Sequence, residues 1–327
     1  IVLGATPAPT PAANVTVMPV GITVTLAAGV GAGVAPRTIT VEGTGSLVTG
    51  AFDLFVAQNA AGGIYINGTS ATALDASAGA NLYIGTATYQ GDLQNNNNGT
   101  VNLTGTIVEM SGLLTNSGTM TTAATTRLIL IGSTAVVLPS AITNLRNLTV
   151  NKVGNSVTLS ANLTVDGAGA LTITSGTLVV GDYNLTVTGT TSIAAGATLN
   201  ANTTETKTRI FTGAITFNGT INSSGGNITN TFTAALSIAA NAVLNIEHST
   251  NTFTSTVASA GATAYLYANG ATVTHTGIVT FTNLNYYTNS NTTLTFNGAQ
   301  TGAGALLPTL VCKNLTCGAN ATLSGNL

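Results

Sequence analysis

The feature of this sequence that most constrains its fold is an apolar position that recurs about every seven or eight residues and returns to the same phase after about 22 residues. Two columns of apolar residues step in this way: Leu178, Leu199, Ile221 and Leu244, and Leu171, Ile193 and Ile215. A repeat of this length is typical of solenoids, in which the short strands of each turn stack on those of the turn before. The sequence therefore predicts an all-β, three-sided parallel β-helix of about 20–23 residues per coil with an apolar interior.

The composition and the residue pattern exclude several classes of protein and of binding partner. No stretch longer than two turns shows a helical period, so almost no α-helix is expected. Charged residues form only 5% of the 327 residues, against roughly 25% in ordinary soluble domains. The seven Lys and Arg residues supply no basic stripe for phosphates, so we expect no nucleic-acid partner. No apolar run approaches the roughly 20 residues of a membrane-spanning helix, so we expect no membrane span.

Two segments are predicted along the chain. Pro7, Pro9 and Pro11 favour an extended backbone, so residues 1–36 are predicted to form an extended arm. This arm either caps the coils or pairs with a neighbouring subunit. Strands are predicted in this arm at 15–18 and 22–26. Residues 37–327 are predicted to form one continuous solenoid that ends in mid-repeat. Because the sequence starts without Met or a positively charged leader, we expect a processed or excised extracellular chain.

The middle of the chain carries a resemblance to a known group. The segments that carry it are Asn162 to Val165, Gly169 to Ile173, Ser175 to Leu178 and Asn184 to Gly189. They resemble the repeats of filamentous-haemagglutinin-like and autotransporter-like secreted bacterial surface β-solenoids, and the likeness covers most of residues 140–327. The resemblance implies a right-handed coil, an extracellular or cell-surface location, and a role in adhesion or in a surface fibre.

These observations favour a non-enzymatic structural protein that assembles head to tail with copies of itself, by stacking of terminal coils, into a fibre or filament. The apolar residues expected at the assembly contacts are Ile1, Val2, Leu3, Val15, Val17, Leu323 and Leu327. The alternative is a segment of a large adhesin that binds glycans or other cell-surface material. A β-helical carbohydrate-active enzyme is a third, less favoured interpretation.

The titratable residues do not form a pattern typical of catalysis or of metal binding. The aspartates are scattered, and we interpret them as corner residues that hydrogen-bond their own backbone: Asp53, Asp75, Asp92, Asp166 and Asp182. Glu205, Lys207 and Arg209 alternate along one predicted strand and indicate a solvated charge cluster. His248 and His275 lack the spacing of metal ligands. We therefore expect no catalytic residues, no cofactor and no metal ligands.

Two kinds of covalent modification are considered. Cys312 and Cys317 are the two cysteines, and we expect an intrachain disulfide, which requires a turn near Asn314; two free buried thiols and an intermolecular bridge are the alternatives. The sequons Asn-x-Ser/Thr are typical of a glycosylated secreted surface, although many arise by chance in a chain rich in Asn and Thr. The candidate glycosylation sites are Asn67, Asn98, Asn102, Asn147, Asn162, Asn184 and Asn218.

The motif Thr-x-Thr occurs at Thr23, Thr272 and Thr280. It resembles the flat hydroxyl arrays by which some small β-solenoids bind ice. Because these three motifs do not recur once per coil over many coils, we interpret them as ordinary exposed strand positions, which Thr favours.

Overall fold

The computed structural model describes residues 2–3, 14–17, 23–26, 38–50, 52–77, 79, 81–260, 263–301 and 312–318. The chain is an all-β parallel β-solenoid of about 13 turns with roughly 21 residues per coil, and the described residues contain no helix. This confirms the predicted fold class. None of the described elements is therefore a helix with the length and hydrophobicity that a membrane crossing requires. The chain divides into two compact units, Ile1–Leu163 and Thr164–Leu327.

The first unit contains eighteen strands within its described residues. They are β1 (Val2–Leu3), β2 (Asn14–Val17), β3 (Thr23–Leu26), β4 (Thr38–Val41), β5 (Ser46–Val48), β6 (Leu54–Val56), β7 (Gly62–Ile66), β8 (Leu74–Asp75), β9 (Asn81–Ile84), β10 (Gly91–Asn95), β11 (Thr100–Asn102), β12 (Ile107–Met110), β13 (Leu114–Asn116), β14 (Thr119–Thr121), β15 (Arg127–Leu130), β16 (Val136–Val137), β17 (Asn144–Leu145) and β18 (Asn147–Thr158). Strand β19 (Leu163–Val165) contains the division between the units.

The strands of the first unit form three parallel ladders. One ladder runs β2, β4, β7, β10, β13, and a second runs β1, β3, β5, β8, β11, β14. The third runs β6, β9, β12, β15, β18. Strands β2 and β3 belong to the predicted arm, and they pair with the strands of the coil that follows.

The second unit contains the remaining strands within its described residues. They are β20 (Ala170–Val179), β21 (Leu185–Val187), β22 (Thr190–Ile193), β23 (Thr198–Asn200), β24 (Lys207–Phe211), β25 (Ile215–Phe217), β26 (Thr220–Asn222), β27 (Ile228–Phe232), β28 (Leu236–Ile238), β29 (Val243–Asn245), β30 (Thr250–Phe253), β31 (Val257–Ser259), β32 (Ala264–Tyr267), β33 (Thr272–His275), β34 (Val279–Thr280), β35 (Leu284–Tyr287), β36 (Thr293–Phe296), β37 (Gln300–Thr301) and β38 (Asn314–Cys317).

These strands form the three sides of the second unit, and all pairings are parallel. Side one runs β22, β25, β28, β31, β34, β37, and side two runs β23, β26, β29, β32, β35. Side three runs β21, β24, β27, β30, β33, β36, β38. Strand β20 pairs with β22 before Gly176 and with β23 after it. Gly176 has a φ of 77°, which lets the chain turn from side one to side two without the steric cost of a side chain.

The interior follows from the alternation of the strands, since successive side chains point to opposite faces. The predicted column of Leu178, Leu199, Ile221 and Leu244 is present in register and fully buried. The second predicted column is wrong by two residues, because Thr191 is the residue that pairs with Leu171 and with Ile215. A register shift of two residues leaves the same side chains facing the interior. The apolar pattern alone therefore does not detect such a shift.

Coil length differs between the units. On side three of the second unit, from β24 onward, the paired residues follow one another at nearly constant spacing, as in the interior series Asn230, Asn251, Val273 and Leu294. In the first unit Ile64 pairs with Leu93, a much longer coil than the one from Leu93 to Leu114. The predicted spacing was wrong for these early coils because they carry loops, such as the turn closed by Thr86 N and Tyr89 O.

Candidate functional site

The most regular surface of the described residues is the outward side of β24, β27, β30, β33 and β36, which we call the Thr face. Its first column contains Thr208, Thr229, Thr250, Thr272 and Thr293. Its middle column contains Ile210, Thr231, Thr252, Thr274 and Thr295. Its third column, just after each strand, contains Thr212, Thr233, Thr254, Thr276 and Asn297. Four consecutive coils from β27 to β36 therefore present Thr-x-Thr in register.

The hydroxyls of the Thr face differ between columns. In the third column the Thr254 hydroxyl donates to the Thr233 carbonyl at 2.8 Å, and the Thr276 hydroxyl donates to the Phe253 carbonyl at 3.1 Å. In the first two columns, from β27 to β36, no hydroxyl has a hydrogen-bond partner among the described residues, and all of these side chains are exposed or half-exposed. These hydroxyls are free to bind solvent or a ligand.

An aromatic stack lies directly behind the Thr face, on the inward side of the same strands. Its members are Phe211, Phe232, Phe253, His275 and Phe296, all almost fully buried. Successive rings lie 5.4, 4.7, 4.8 and 5.2 Å apart between centroids and are tilted by no more than 12°. Near-parallel rings at near-equal distances require coils that are evenly spaced and little twisted. The stack therefore indicates, independently of the threonines, that the coils behind this face are regularly stacked.

His275 occupies a phenylalanine position in this stack and is paired with a buried phenol. Its Nε2 lies 3.1 Å from the Tyr286 hydroxyl, and its Nδ1 has no partner among the described residues. Burial lowers the pKa of His275 to about 3 and raises the pKa of Tyr286 well above its usual value. Both groups are therefore neutral near pH 7, and they are shielded from any ligand at the surface.

The sequence expectation for the Thr-x-Thr motif was wrong. Only Thr272 among the three motif positions named from the sequence belongs to the Thr face. The motif does recur once per coil, because Thr229, Thr250 and Thr293 begin equivalent motifs in β27, β30 and β36. Aligning the sequence by coil length, instead of searching for isolated motifs, is the signal that detects this array.

The interior of side three contains polar residues where the sequence predicted apolar ones. Asn230 and Asn251 are fully buried, and the Asn230 amide nitrogen donates to the Asn251 amide oxygen at 2.8 Å. Ser223 and Ser249 complete the cluster, with contacts of 2.6 Å to Asn230 and 2.9 Å to Asn251. The side-chain polar atoms of this cluster are satisfied within the two adjacent coils, as buried amides require.

The prediction of a solvated charge cluster was wrong for Arg209. The side chain is fully buried, not solvated. Its guanidinium donates to the carbonyls of Gly181 at 2.8 Å and Ala201 at 3.1 Å, and also to that of Tyr183. Burial lowers its pKa to about 10, with the nearby Asp182 opposing the shift. Arg209 thus binds backbone carbonyls at a corner, while Glu205 remains exposed.

A second buried cation lies in the first unit. Lys152 is fully buried, and its Nζ donates to the carbonyls of Ser111 at 2.9 Å and Ile131 at 2.5 Å. Burial lowers its pKa to about 8, and Asp92 opposes the shift. Asp92 itself accepts hydrogen bonds from the Leu113 amide at 2.7 Å and from two glutamines. These hydrogen bonds engage both Lys152 and Asp92 within the solenoid itself.

The aspartates are corner residues in two of the five cases. Asp75 accepts from the Ser77 amide at 3.0 Å, and Asp166 accepts from the Gly167 amide at 2.6 Å, which confirms the interpretation for both. Asp53 instead accepts from the Asn81 amide of the following coil at 3.0 Å, and Asp182 accepts from a threonine hydroxyl. Among the described residues, no cluster of three or more His, Cys, Asp or Glu side chains is arranged to bind a metal.

The candidate modification sites are placed as follows. Cys312 is half-buried and Cys317 is exposed, and both are free thiols in this structure. Asn314, where a disulfide requires a turn, is the first residue of β38. The disulfide stays a prediction. Asn67, Asn98, Asn162 and Asn218 are exposed, whereas Asn102, Asn147 and Asn184 are half-exposed.

The predicted assembly residues fall mostly at the margins of the described chain. Val2 and Leu3 pair with Thr25 and Leu26, and Val15 and Val17 pair with Ile39 and Val41. Ile1, Leu323 and Leu327 lie outside the described residues.

Strand β38 is the last strand of its ladder within the described residues, and its inward positions are open. Leu315 is half-exposed and Cys317 is exposed, whereas their equivalents one coil earlier, Leu294 and Phe296, are fully buried. A further coil stacked on β38 would remove this apolar surface from water.

No protein-family model, curated protein or solved structure matches this chain. Of the resemblance to bacterial surface solenoids, the β-solenoid fold is the part that the structure supports.

Proposed function

We propose that this chain is a non-enzymatic extracellular structural protein whose copies stack head to tail, coil upon coil, into a fibre. The observation that carries the proposal is the open inward surface of β38, where Leu315 is half-exposed and Cys317 is exposed while Leu294 and Phe296 beneath them are buried. Stacking of a second copy continues the parallel ladder and covers these positions, as strand addition at an open sheet edge does.

The bonding of the solenoid supports the same conclusion. Each coil is held by its two neighbours, through a row of backbone hydrogen bonds and columns of like side chains. The interaction between two copies is therefore of the same kind as the interaction between two coils of one copy. With seven basic and nine acidic residues in the chain, little charge repulsion opposes the approach of two coils.

The resemblance to secreted bacterial surface solenoids supports an extracellular location, as do the candidate glycosylation sites named above, whose seven asparagines are exposed or half-exposed. The filamentous-haemagglutinin-like and autotransporter-like proteins that the sequence resembles suit a surface fibre. Glycans on exposed residues such as Asn98 and Asn218 lie clear of the strand interiors and leave the ladders intact.

The proposal is tested by substituting adjacent residues of β38 that face opposite ways. Leu315→Asp places a charge on the inward stacking surface, and Thr316→Asp places the same charge on the outward surface of the same strand. We expect the wild type and Thr316→Asp to form filaments that sediment and are visible by electron microscopy, and Leu315→Asp to remain dispersed.

Circular dichroism and the unfolding midpoint of each variant establish that the β-solenoid is intact before assembly is scored. Equal loss of filaments in both variants, or filaments of Leu315→Asp as abundant as those of the wild type, contradicts stacking through β38. A wild type that stays monomeric at every concentration contradicts the fibre itself.

One observation favours the alternative of a glycan-binding adhesin segment. Tyr267 and Tyr287 stack with their ring centroids 4.7 Å apart on the outward side of side two, and Tyr287 is 38% exposed. Exposed aromatic rings supply large rigid contact area with a polar tip. If the chain binds sugars in this way, a glycan array shows binding that Tyr287→Ala abolishes and that does not depend on filament formation.

A further inference from the structure

The Thr face is defined by two repeat distances that the fold fixes. Along the coil axis the rows follow the aromatic stack behind them, whose centroids are 4.7 to 5.4 Å apart. Along each strand, threonines two residues apart lie about 6.6–6.8 Å from one another. Oxygen positions on the prism face of hexagonal ice also recur along two perpendicular directions, with one shorter and one longer repeat, so the two arrays share a rectangular form.

The side chains of the Thr face are suited to an ordered water lattice. Each threonine offers a hydroxyl that hydrogen-bonds water and a methyl group that water must surround. Threonine is stiff at χ1 because it is branched at Cβ, so the array holds its geometry without a large loss of entropy on binding. The first two columns from β27 to β36 have no protein partners for their hydroxyls among the described residues.

The Thr face is suited to an uncharged ligand. None of the outward positions from Thr229 to Thr295 in the three columns is a charged residue. Ionic partners such as nucleic acid or anionic lipid therefore find no complementary group here. Sides one and two lack this uniformity, since their outward columns mix Ser192, Thr216 and Ala258 on one side and Thr220, Val243 and Tyr265 on the other.

We propose that the Thr face is an ice-binding surface, whose regularly spaced threonines anchor an ordered layer of water that merges with crystalline ice. A second copy of the chain is the weaker alternative for this face. Three columns over five coils cover roughly 300–500 Å², whereas a stable protein interface needs about 800 Å² per partner with an apolar centre.

The proposal is tested with ice itself as the probe. The purified full chain, mixed with a labelled inert protein, is presented to a slowly growing ice hemisphere, and the fraction of each protein that enters the ice is measured. Recrystallisation of fine ice grains is followed in the same samples. We expect the wild type to be enriched in ice and to arrest grain growth, while the inert protein is excluded.

Two variants localise the effect. Thr252→Tyr replaces a central threonine of the middle column with a bulky side chain that breaks the flatness of the Thr face. Thr216→Tyr makes the same change on side one, at an outward strand position that is exposed, whereas Thr252 is half-exposed. We expect Thr252→Tyr to fall to the level of the inert protein and Thr216→Tyr to remain like the wild type, with unchanged unfolding midpoints for both.

Exclusion of the wild type from ice overturns the proposal, and so does an equal loss in the two variants. If the wild type is excluded and Thr252→Tyr alone changes the sedimentation of the unfrozen chain, the Thr face is a contact between copies and not a site for ice. These outcomes are independent of stacking through β38, which Leu315→Asp tests.

Discussion

The two units of this solenoid stabilise their coils in different ways. In the second unit the coils from β24 onward are nearly equal in length, so that like residues stack on like, as Phe232 does on Phe253 and Thr231 on Thr252. In the first unit coils of unequal length rule out long columns of identical residues, and individual polar contacts such as those of Lys152 and Asp92 hold the corners. Equal coil length is therefore the condition under which a solenoid can build a repeating surface.

The comparison extends to the aromatic residues. The second unit buries a stack of five rings that spans as many coils. In the first unit Phe55 and Tyr83 stack at 4.5 Å, but both are half-exposed and point outwards. Stacked aromatic rings thus lie in the core of the second unit and on the surface of the first. Removing a ring should therefore lower the free energy of unfolding more in the second unit than in the first.

The largest expected effect is the loss of a ring from the buried stack. Phe253→Ala should lower the free energy of unfolding by about 3–5 kcal/mol, because it removes buried apolar contacts and leaves a cavity between two rings. Phe55→Ala, the matched change in the first unit, should cost only about 1 kcal/mol, since its ring is half-exposed. Urea unfolding monitored by circular dichroism measures both, and equal losses would contradict the contrast between the units.

The second prediction concerns the single histidine of the stack. Burial lowers the pKa of His275 from 6.5 to about 3, so between these values the unfolded chain binds a proton that the folded chain does not. The contribution to stability is complete above about pH 6.5 and is lost as the pH falls towards 3, by at most about 1.4 kcal/mol per pH unit. Thermal unfolding between pH 7 and pH 4 measures this slope.

The variant His275→Phe with Tyr286→Phe removes the titrating group together with the hydroxyl it pairs with. It should be less sensitive to acid than the wild type. His248→Asn is the control, because His248 is exposed and has a φ of 58° that Asn tolerates. An unchanged acid slope in the double variant would show that His275 is not the group responsible.

A smaller effect is expected from the polar column of the second unit. Asn251→Leu should cost about 1–2 kcal/mol, because it leaves the Asn230 amide without its partner at 2.8 Å. Adding Asn230→Leu should recover part of this loss, since it removes the amide that has lost this partner and extends the apolar column towards Val273. A double-mutant cycle measures the coupling, and strictly additive losses would mean that the two amides do not interact.

The smallest effect tests how far each unit tolerates a longer coil. Insertion of Gly-Ser after Asn97, in an exposed loop of the first unit, should cost less than about 0.6 kcal/mol. The same insertion after Ala240 should cost about 1–2 kcal/mol, because it disturbs the hydrogen bond from the Asn241 amide to Thr263 at the corner. The unfolding midpoints of the two insertion variants measure this difference. Equal midpoints would contradict the claim that the second unit depends on equal coil length.

The sequence predicted the fold because β-solenoid coils repeat their apolar positions at a fixed spacing. The column from Leu178 to Leu244 was predicted in full. The column through Leu171 was misaligned by two residues, because patterning reports which face is buried and not the exact register. Arg209 was placed in solvent because its strand neighbours are charged, although backbone carbonyls at a corner satisfy it inside the coil.

The Thr face was missed for a different reason. Threonine is common throughout the chain, and a motif such as that at Thr272 is uninformative until the strands on either side are aligned with it. Only the pairing of β27, β30, β33 and β36 shows that the motif repeats on one face. The open surface at β38 likewise depends on comparing Leu315 with Leu294, which requires the register between two strands.

Electron microscopy of the purified chain, without crosslinker and over a range of concentrations, tests the central claim most directly. We predict long, uniform fibres whose diffraction shows a repeat of about 4.8 Å along the axis, the spacing between stacked β-strands. Isolated single particles at every concentration would contradict the assembly of this solenoid into a fibre.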